Sequence, residues 1–254
     1  MQNPMPTIAP SNGAAPEAAS CLFLISAPSG SGKSTLVGEL FRLVPGLEFS
    51  ISYTTRPARG SEEHGREYFF ISRDEFNRML AEGDFLEHAE VFGNCYGTAW
   101  SFLEDARRRG ADLVLDIDVQ GAAQVRQRHA GSVSIFIAPP DRDTLAWRLR
   151  NRGLDTPEVI EHRLRDASRE IAAYNEYQYV LINDELPRSV ERLQAIVLVE
   201  RARRRGWPAV LQDSRIPAIE SVRLEQLAEG CLQSRVAEPL APVLHSFGIE
   251  SVRV

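Results

Sequence analysis

The stretch Leu22-Phe23-Leu24-Ile25-Ser26-Ala27-Pro28-Ser29-Gly30-Ser31-Gly32-Lys33-Ser34-Thr35 restricts the fold of this chain more than any other. Its apolar run, Leu22 to Ile25, reads as a buried strand. A turn of Pro, Ser and Gly follows. Lys33-Ser34-Thr35 then opens a helical pattern carried by Leu36, Val37, Leu40, Phe41 and Val44. Strand, glycine-rich loop and helix N-terminus in this order turn several backbone N–H groups toward one point, beside the positive end of a helix dipole. Such a cradle suits phosphate. Lys33 adds a full charge for the β- and γ-phosphates, and Ser34 a hydroxyl ligand for Mg²⁺. Ala27 stands where the usual G-x-x-x-x-G-K-[ST] pattern has its first glycine. Alanine ends a strand with ordinary dihedrals but cannot take positive φ freely. A Gly/Ser turn that happens to precede a lysine is the plainer alternative, and the order of strand, loop and helix speaks against it.

Length and composition set the frame. The 254 residues can form one large domain or two small ones, with 43% hydrophobic and 25% charged residues, as in an ordinary globular protein. The net charge of −6 argues against a nucleic-acid or membrane-surface binder. Cys21, Cys95 and Cys231 are widely spaced and odd in number, which suits a reducing, cytoplasmic setting better than a disulfide framework or a zinc site. Residues 1–20 are rich in Pro, Ala, Asn and Ser and lack the basic and apolar regions of a secretory signal, so they read as a disordered leader.

Along the chain, Phe49 to Thr55 has strand propensity, followed by the turn Arg56-Pro57-Ala58-Arg59-Gly60 and a short strand from Tyr68 to Ile71. Arg73 to Glu82 reads as a helix closed by Gly83, and Phe85 to Phe92 as a strand turning at Gly93-Asn94 into Cys95 to Thr98. Helix and strand then alternate: helix 100–109, strand 113–118, helix 119–128, strand 132–138, helix 141–150, loop 151–156, helix 157–174, strand 179–182 and helix 187–205. The basic runs Arg107-Arg108-Arg109 and Arg203-Arg204-Arg205 fall at helix ends, where cations are favoured; for the first, that structural role is preferred to a binding one. The alternation predicts a parallel sheet with helices on both faces and a ligand at the carboxyl edge of the strands. The loop at Gly30 and the acids Asp116 and Asp118 all fall at that edge.

In order and with few gaps, residues 21–205 resemble the guanylate kinase family of bacteria. The resemblance rests on Ser26 to Ser34, Thr54-Thr55-Arg56-Pro57, Gly65-Arg66-Glu67-Tyr68-Phe69-Phe70, Phe85-Leu86-Glu87-His88-Ala89, Gly93 to Thr98, Leu115 to Gly121 and Ile182-Asn183-Asp184. Ala27 is familiar in bacterial members, while Tyr53 and Cys95 depart from the family pattern beside contact positions. The family transfers a phosphoryl group from ATP to GMP or dGMP with Mg²⁺. The resemblance implies a P-loop α/β fold. Its core would span 21–49 and 99–207, with a small β-rich insertion at 50–98 for the nucleoside monophosphate and a lid at about 148–163.

It also implies roles. Ala27, Pro28, Ser29, Gly30, Ser31, Gly32, Lys33, Ser34 and Thr35 would hold ATP, with Asn183 at the adenine. Ser34 and Asp116 would serve the metal. Arg56 and Arg59 would grip the GMP phosphate through planar guanidinium forks, with Tyr68 and Tyr96 donating to it. Glu87 would accept from guanine N1–H and the N2 amino group, and Ser52, Thr98 and Asp118 would complete the base site. Glu62 and Gly97 belong to the same acceptor set. Lys33, Arg56 and the lid arginines Arg148, Arg152 and Arg163 would neutralise the transferring group, and no general base is needed, since the acceptor phosphate is already anionic. The plainer readings are solvated turn charges for Arg56 and Arg59, an exposed strand acid for Glu87 and helix-surface charge for the lid arginines. His88, next to Glu87, points to the opposite strand face and reads as structural.

From about residue 208 the resemblance stops. Glu220 to Ser234 reads as an amphipathic helix broken by Pro239-Leu240-Ala241-Pro242, and Phe247 to Val254 as a strand. The expectation for 208–254 is an appendage that packs weakly or stays mobile, with an oligomer or partner contact as the second account, and that is dispensable for activity. Two rival functions are a related P-loop kinase acting on another phosphorylated acceptor, such as a ribose bisphosphate, and a non-catalytic guanylate-kinase-like protein-binding module. The guanine-edge set argues against the first, and the intact Lys33, Ser34 and lid arginines against the second.

Overall fold

The computed structural model describes residues 20–91, 93–151, 156–214 and 220–250. The leader at 1–19, the lid residues 152–155 and the tail at 251–254 therefore lie outside the described residues. Five parallel strands form the main sheet: β1 (Leu22–Ser26), β2 (Leu47–Phe49), β7 (Asp112–Asp116), β8 (Val133–Ala138) and β9 (Tyr179–Ile182). Their order is β2-β7-β1-β8-β9, with β1 at the centre, paired to β7 on one side and β8 on the other. The chain leaves β1 toward one edge and later crosses β1 to reach the other. The mouth of β1 is therefore a topological switch point, where a crevice opens at the strand ends.

Alternate side chains of β1 enter different apolar layers. Leu22 and Leu24 join one with Leu113, Leu115, Phe136 and Val180, and Phe23 and Ile25 join the other with Val114, Ile135 and Leu181. Helices cover both faces. On the first lie α3 (Trp100–Arg108), α4 (Val119–Arg128), α5 (Arg142–Asn151) and α6 (Pro157–Ala172); on the second, α1 (Lys33–Leu43) and α7 (Leu186–Arg205). The arginines ending α7 tie down the edge of the sheet remote from the phosphate loop. Asp112, fully buried, pairs with Arg201 and with Arg205 at 2.7 Å, and accepts the Cys21 N–H at 2.7 Å.

A second sheet of four strands has the order β4-β3-β6-β5: β3 (Tyr53–Thr54), β4 (Phe69–Phe70), β5 (Phe85–Val91) and β6 (Asn94–Ala99). Helix α2 (Arg73–Glu82) packs Phe76 and Met79 against Phe85 and Cys95 in a small core of its own. The expected single strand from 49 to 55 is divided. Its first residue ends β2 in the main sheet, and only Tyr53–Thr54 joins the second sheet. The Ser50 N–H bonds Val114 O at 3.0 Å and Ser52 O accepts from Phe69 N at 3.0 Å, so one extended run serves two sheets in turn.

The C-terminal segment corrects a larger expectation. It does not pack weakly. Helix α8 (Trp207–Ser214) follows α7 after Gly206, so a boundary at 207 falls inside a helix. Helix α9 (Glu220–Glu229) buries Leu224 and Ala228 in the layer of α7, and α10 (Ala237–Ser246) buries Leu240, Val243 and Leu244 in the layer of α5 and α6. Between them the chain passes along the outer edge of β9. The Val180 N–H donates to Cys231 O at 2.8 Å, and Gln233 N–H to Gln178 O at 3.0 Å. The segment thus continues both apolar layers and covers an open strand edge. Nor do the prolines break a helix. Pro239 sits in the first turn of α10, where its missing N–H has no intrahelical partner, and Pro242 is carried inside the helix. Residues 247–250 form a turn and irregular chain, not a strand.

Candidate active site

The loop after β1 takes its left-handed turns at Gly30, φ +94°, and Gly32, φ +91°, while Ala27 packs against the apolar layer of α1. The missing first glycine therefore removes nothing the turn requires. Gly32 is the N-cap of α1, which places Lys33, Ser34 and Thr35 in the first helical turn with Ser34 and Thr35 exposed. Lys33 Nζ forms an ion pair with Asp116 at the end of β7. Three side chains arrive from the other half of the sheet. Asn183, buried after β9, donates its amide to Ser31 O at 2.7 Å. Arg148 donates to Ser31 O at 3.2 Å and to Asn183 O at 3.1 Å, and Arg163 reaches Ser29 Oγ at 3.3 Å. Arg148 and Arg163 thus converge on the loop from α5 and α6; Arg152 lies outside the described residues. A recess of about 340 Å³ opens there, lined by Gly30, Gly32, Thr35, Trp147, Arg148, Asn183 and Leu186 among others.

The second cavity, about 240 Å³, joins the two sheets. Ser52, Tyr68, Glu87 and Tyr96 line it from the small sheet, and Asp116 and Asp118 from the main one. Glu87 is 4% exposed, and burial pushes its carboxyl up to about 7 even though Thr98 hydrogen-bonds to it. Ser52 Oγ and Thr98 Oγ1 are 3.3 Å apart. A register irregularity between Phe85 and Glu87 re-aims the strand at this point. Arg56 is almost buried. Its guanidinium lies 5.3 Å from the Tyr68 ring centre and 5.8 Å from that of Phe70, and it pairs with Glu62 at 2.9 Å. The other Glu62 oxygen accepts the Arg59 N–H at 2.8 Å, so Glu62 organises the arginine turn. The Tyr68 and Tyr96 rings meet edge to face at 5.9 Å. A Cβ at Gly97 would come within 2.8 Å of Phe85, so this position faces the small core and leaves Tyr96 and Thr98 to line the opposite side.

Sequence reasoning passed over Gly121. Asp118 caps α4 by accepting the Gly121 N–H at 2.8 Å, and a Cβ on Gly121 would lie 2.6 Å from Glu87 Oε2. Glycine is what lets the buried carboxylate sit against the helix. One turn on, Gln124 exchanges two hydrogen bonds with the His88 backbone, at 2.6 and 3.2 Å, and Arg128 donates to Phe85 O and Leu86 O. The spacing 121, 124, 128 is one helix face. Nothing in the sequence marks which strand this face would seat. The His88 backbone thus ties β5 to α4.

A family model for guanylate kinase matches residues 20–200. The chain belongs to the guanylate kinase family. Among its relatives, a guanylate kinase of Koribacter versatilis is 52% identical over 229 residues, covering 89% of this chain and 95% of that one. One of Geobacter metallireducens is 49% identical over 182 residues, 72% of this chain and 90% of the relative. The crystal structure of guanylate kinase from Anaplasma phagocytophilum superposes with a TM-score of 0.58 at 33% identity, covering 77% of this chain and 95% of that one. In this guanylate kinase family member an ion pair ties the second cavity to the phosphate loop: Asp116 lines that cavity and pairs with Lys33, the loop's lysine.

Proposed function

We propose that this chain transfers the γ-phosphoryl group of ATP to GMP or dGMP, giving ADP and GDP or dGDP. The observation that carries the proposal is the 240 Å³ cavity, which has Glu87 and Asp118 among its walls together with Asp116, the partner of the loop lysine. A base held by Glu87 and Asp118 leaves its phosphate for Tyr68 and Tyr96, which line the same cavity. Guanine offers N1–H and an N2 amino group as adjacent donors, and one carboxylate accepts both. Adenine offers neither pair and would leave Glu87 buried and unmatched, the kind of penalty that gives discrimination of about 10⁴ or more.

The acceptor phosphate meets Arg56, already stacked and held by Glu62, with Arg59, Tyr68 and Tyr96 around it. The donor phosphates lie on Gly30 to Thr35 under Arg148 and Arg163, with Arg152 of the lid assigned by resemblance alone. Attack by a GMP phosphate oxygen needs no proton removed, so the protein's contribution is position, charge neutralisation and exclusion of water. Mg²⁺ fits this arrangement. Ser34 presents an exposed hydroxyl at the start of α1, and Asp116 supplies a second hard oxygen donor. Among the described residues no group of three His, Cys, Asp or Glu side chains is set to hold a metal, so the ion would arrive on the ATP phosphates, whose charge it neutralises when bound. Three unpaired cysteines accord with a reducing compartment, and we place the reaction in the cytoplasm.

Replacing Glu87 by Gln tests the base assignment. The KM for GMP is expected to rise by about 100-fold, in the range of a lost charge-assisted pair, with the KM for ATP within twofold of wild type. The pH profile adds a second readout. With its carboxyl raised to about 7, free enzyme loses the accepting carboxylate as pH falls below 7, so kcat/KM for GMP declines there. The variant should retain only the limb from the GMP phosphate itself, near pH 6. An unchanged GMP KM in the variant would sink the assignment.

A further inference from the structure

Asp184, Arg188 and Arg192 follow one another at four-residue spacing, which puts both arginines on one face of α7 with Asp184 just before the helix. Like charges four residues apart on a helix repel each other, and here they share one carboxylate. Asp184 lies 3.8 Å from Arg188 and 3.7 Å from Arg192, and Arg188 is also 3.9 Å from Glu185. All three contacts are longer than a hydrogen bond, so the pairing leaves donors of both guanidinium forks for another acceptor. Behind them lies a cavity of about 450 Å³, larger than either cavity of the candidate active site. Its inner walls are apolar: Val180 and Ile182 from β9, Cys231 after α9, and Val236 and Val243 from the start and body of α10. Val180, Cys231, Val236 and Val243 are buried, while the Arg188 side chain is 57% exposed and that of Arg192 26%. The arginines therefore mark the mouth. Pro242, carried inside α10 at the loss of a helical hydrogen bond, belongs to the same wall.

From this arrangement we infer that the cavity is a binding site for a small amphipathic anion, its carboxylate or phosphate head between Arg188 and Arg192 and its unbranched apolar body against β9 and α10. The charged lining residues are one acid, Asp184, and two arginines, so the mouth favours an anion. A guanidinium gives such a head two parallel hydrogen bonds, and a head placed between the two arginines turns their repulsion into attraction. An apolar enclosure with a few convergent polar groups is the usual make-up of a small-molecule site. The Cys231 thiol adds to the apolar surface, since burial pushes it up to about 11 and keeps it uncharged at neutral pH. Among the described residues, neither the phosphate loop nor Glu87 and Asp118 contribute to these walls, so the occupant is a third ligand and not ATP or GMP. Cys231, Val236, Pro242 and Val243 also lie beyond residues 20–200, the span matched by the family model. The segment after α7 thus builds a pocket as well as covering the edge of β9.

Isothermal titration tests this on the full chain, with MgADP and GMP in excess so that the nucleotide cavities are filled. Octanoate is expected to bind at one site per chain. Its affinity should fall about fourfold for each methylene removed through hexanoate and butanoate, the share of a buried methylene. Octyl phosphate should compete with octanoate, and the tighter of the two identifies the head group. Octylammonium and uncharged 1-octanol should bind more weakly by about tenfold or more. Arg188→Gln combined with Arg192→Gln should weaken octanoate binding by about tenfold or more. Asp184→Asn removes the competing charge but keeps an acceptor for the Glu185 N–H, and should tighten binding by about threefold. Both arginines reach solvent, so without ligand the double variant should melt like the wild type, and octanoate should raise the melting temperature of the wild type alone. An affinity that does not change with chain length would mean that the arginines hold an adventitious ion only, and would overturn the proposal. So would octanol binding as tightly as octanoate, an unchanged affinity in the double variant, or no saturable binding of either anion.

Discussion

Lys33→Ala is expected to lower kcat by about 10²- to 10³-fold, the cost of removing a preorganised charge from a phosphoryl-transfer site. Lys33 is the first residue of α1, and its ammonium already meets Asp116, which lines the second cavity. When ATP binds, that charge is in place for the β- and γ-phosphates without reorganisation. The fold should tolerate the change. The Lys33 side chain is 19% exposed and Asp116 24%, so an Asp116 left without its lysine still reaches water. Melting temperatures of the two proteins should therefore agree within a few degrees, and the KM for GMP should move little. A coupled assay of ADP release with saturating GMP measures the effect. A kcat within tenfold of wild type would mean that the loop lysine does not act on the transferring group.

A chain ended at Gly206 should lose its folded state rather than its chemistry. Deletion removes Leu224 and Ala228 from one apolar layer and Leu240, Val243, Leu244 and Phe247 from the other, and uncovers the outer edge of β9. Each large buried side chain of this kind is worth about 1.5–3 kcal/mol of burial, and stability of a whole domain is only about 5–15 kcal/mol. It also removes Ser246, whose Oγ accepts the Arg142 N–H at 3.1 Å at the start of α5, the helix that carries Trp147 and Arg148. The expected outcome is insoluble protein or a melting temperature lower by more than about 10 °C. Leu240→Ala is the milder form, expected to cost about 2–5 kcal/mol because the side chain is fully buried. A truncated protein that melts like the full chain would show that the edge of β9 does not need its cover.

Much of this architecture was open to sequence reasoning, for local reasons. Helices α2 and α4 fall at the expected residues because each carries its own punctuation: Ser72 accepts from the Glu75 N–H and Gly83 closes α2, while Asp118 caps α4. Strand β9 matches because four apolar residues have turn signals on both sides. The division of residues 49–55 between two sheets was not legible, since an extended run has the same period whichever neighbours it bonds. The C-terminal segment was misjudged because a short apolar helix has no visible partner in a sequence, and α9 and α10 find theirs on α7 and α5. The site shows the same split. Lys33, Arg56, Glu87 and Asp118 carry charge in a recognisable order. Gly121 matters through a Cβ it lacks, which no residue pattern displays.

The central claim, that this site phosphorylates a guanine nucleotide, is tested most directly by one acceptor series. ATP and Mg²⁺ are supplied with GMP, dGMP, AMP, UMP or ribose 1,5-bisphosphate, and kcat/KM is measured for each. GMP and dGMP are expected to exceed AMP and UMP by about 10⁴-fold or more, with no turnover of the sugar bisphosphate. Turnover of GMP no faster than that of AMP would contradict the account.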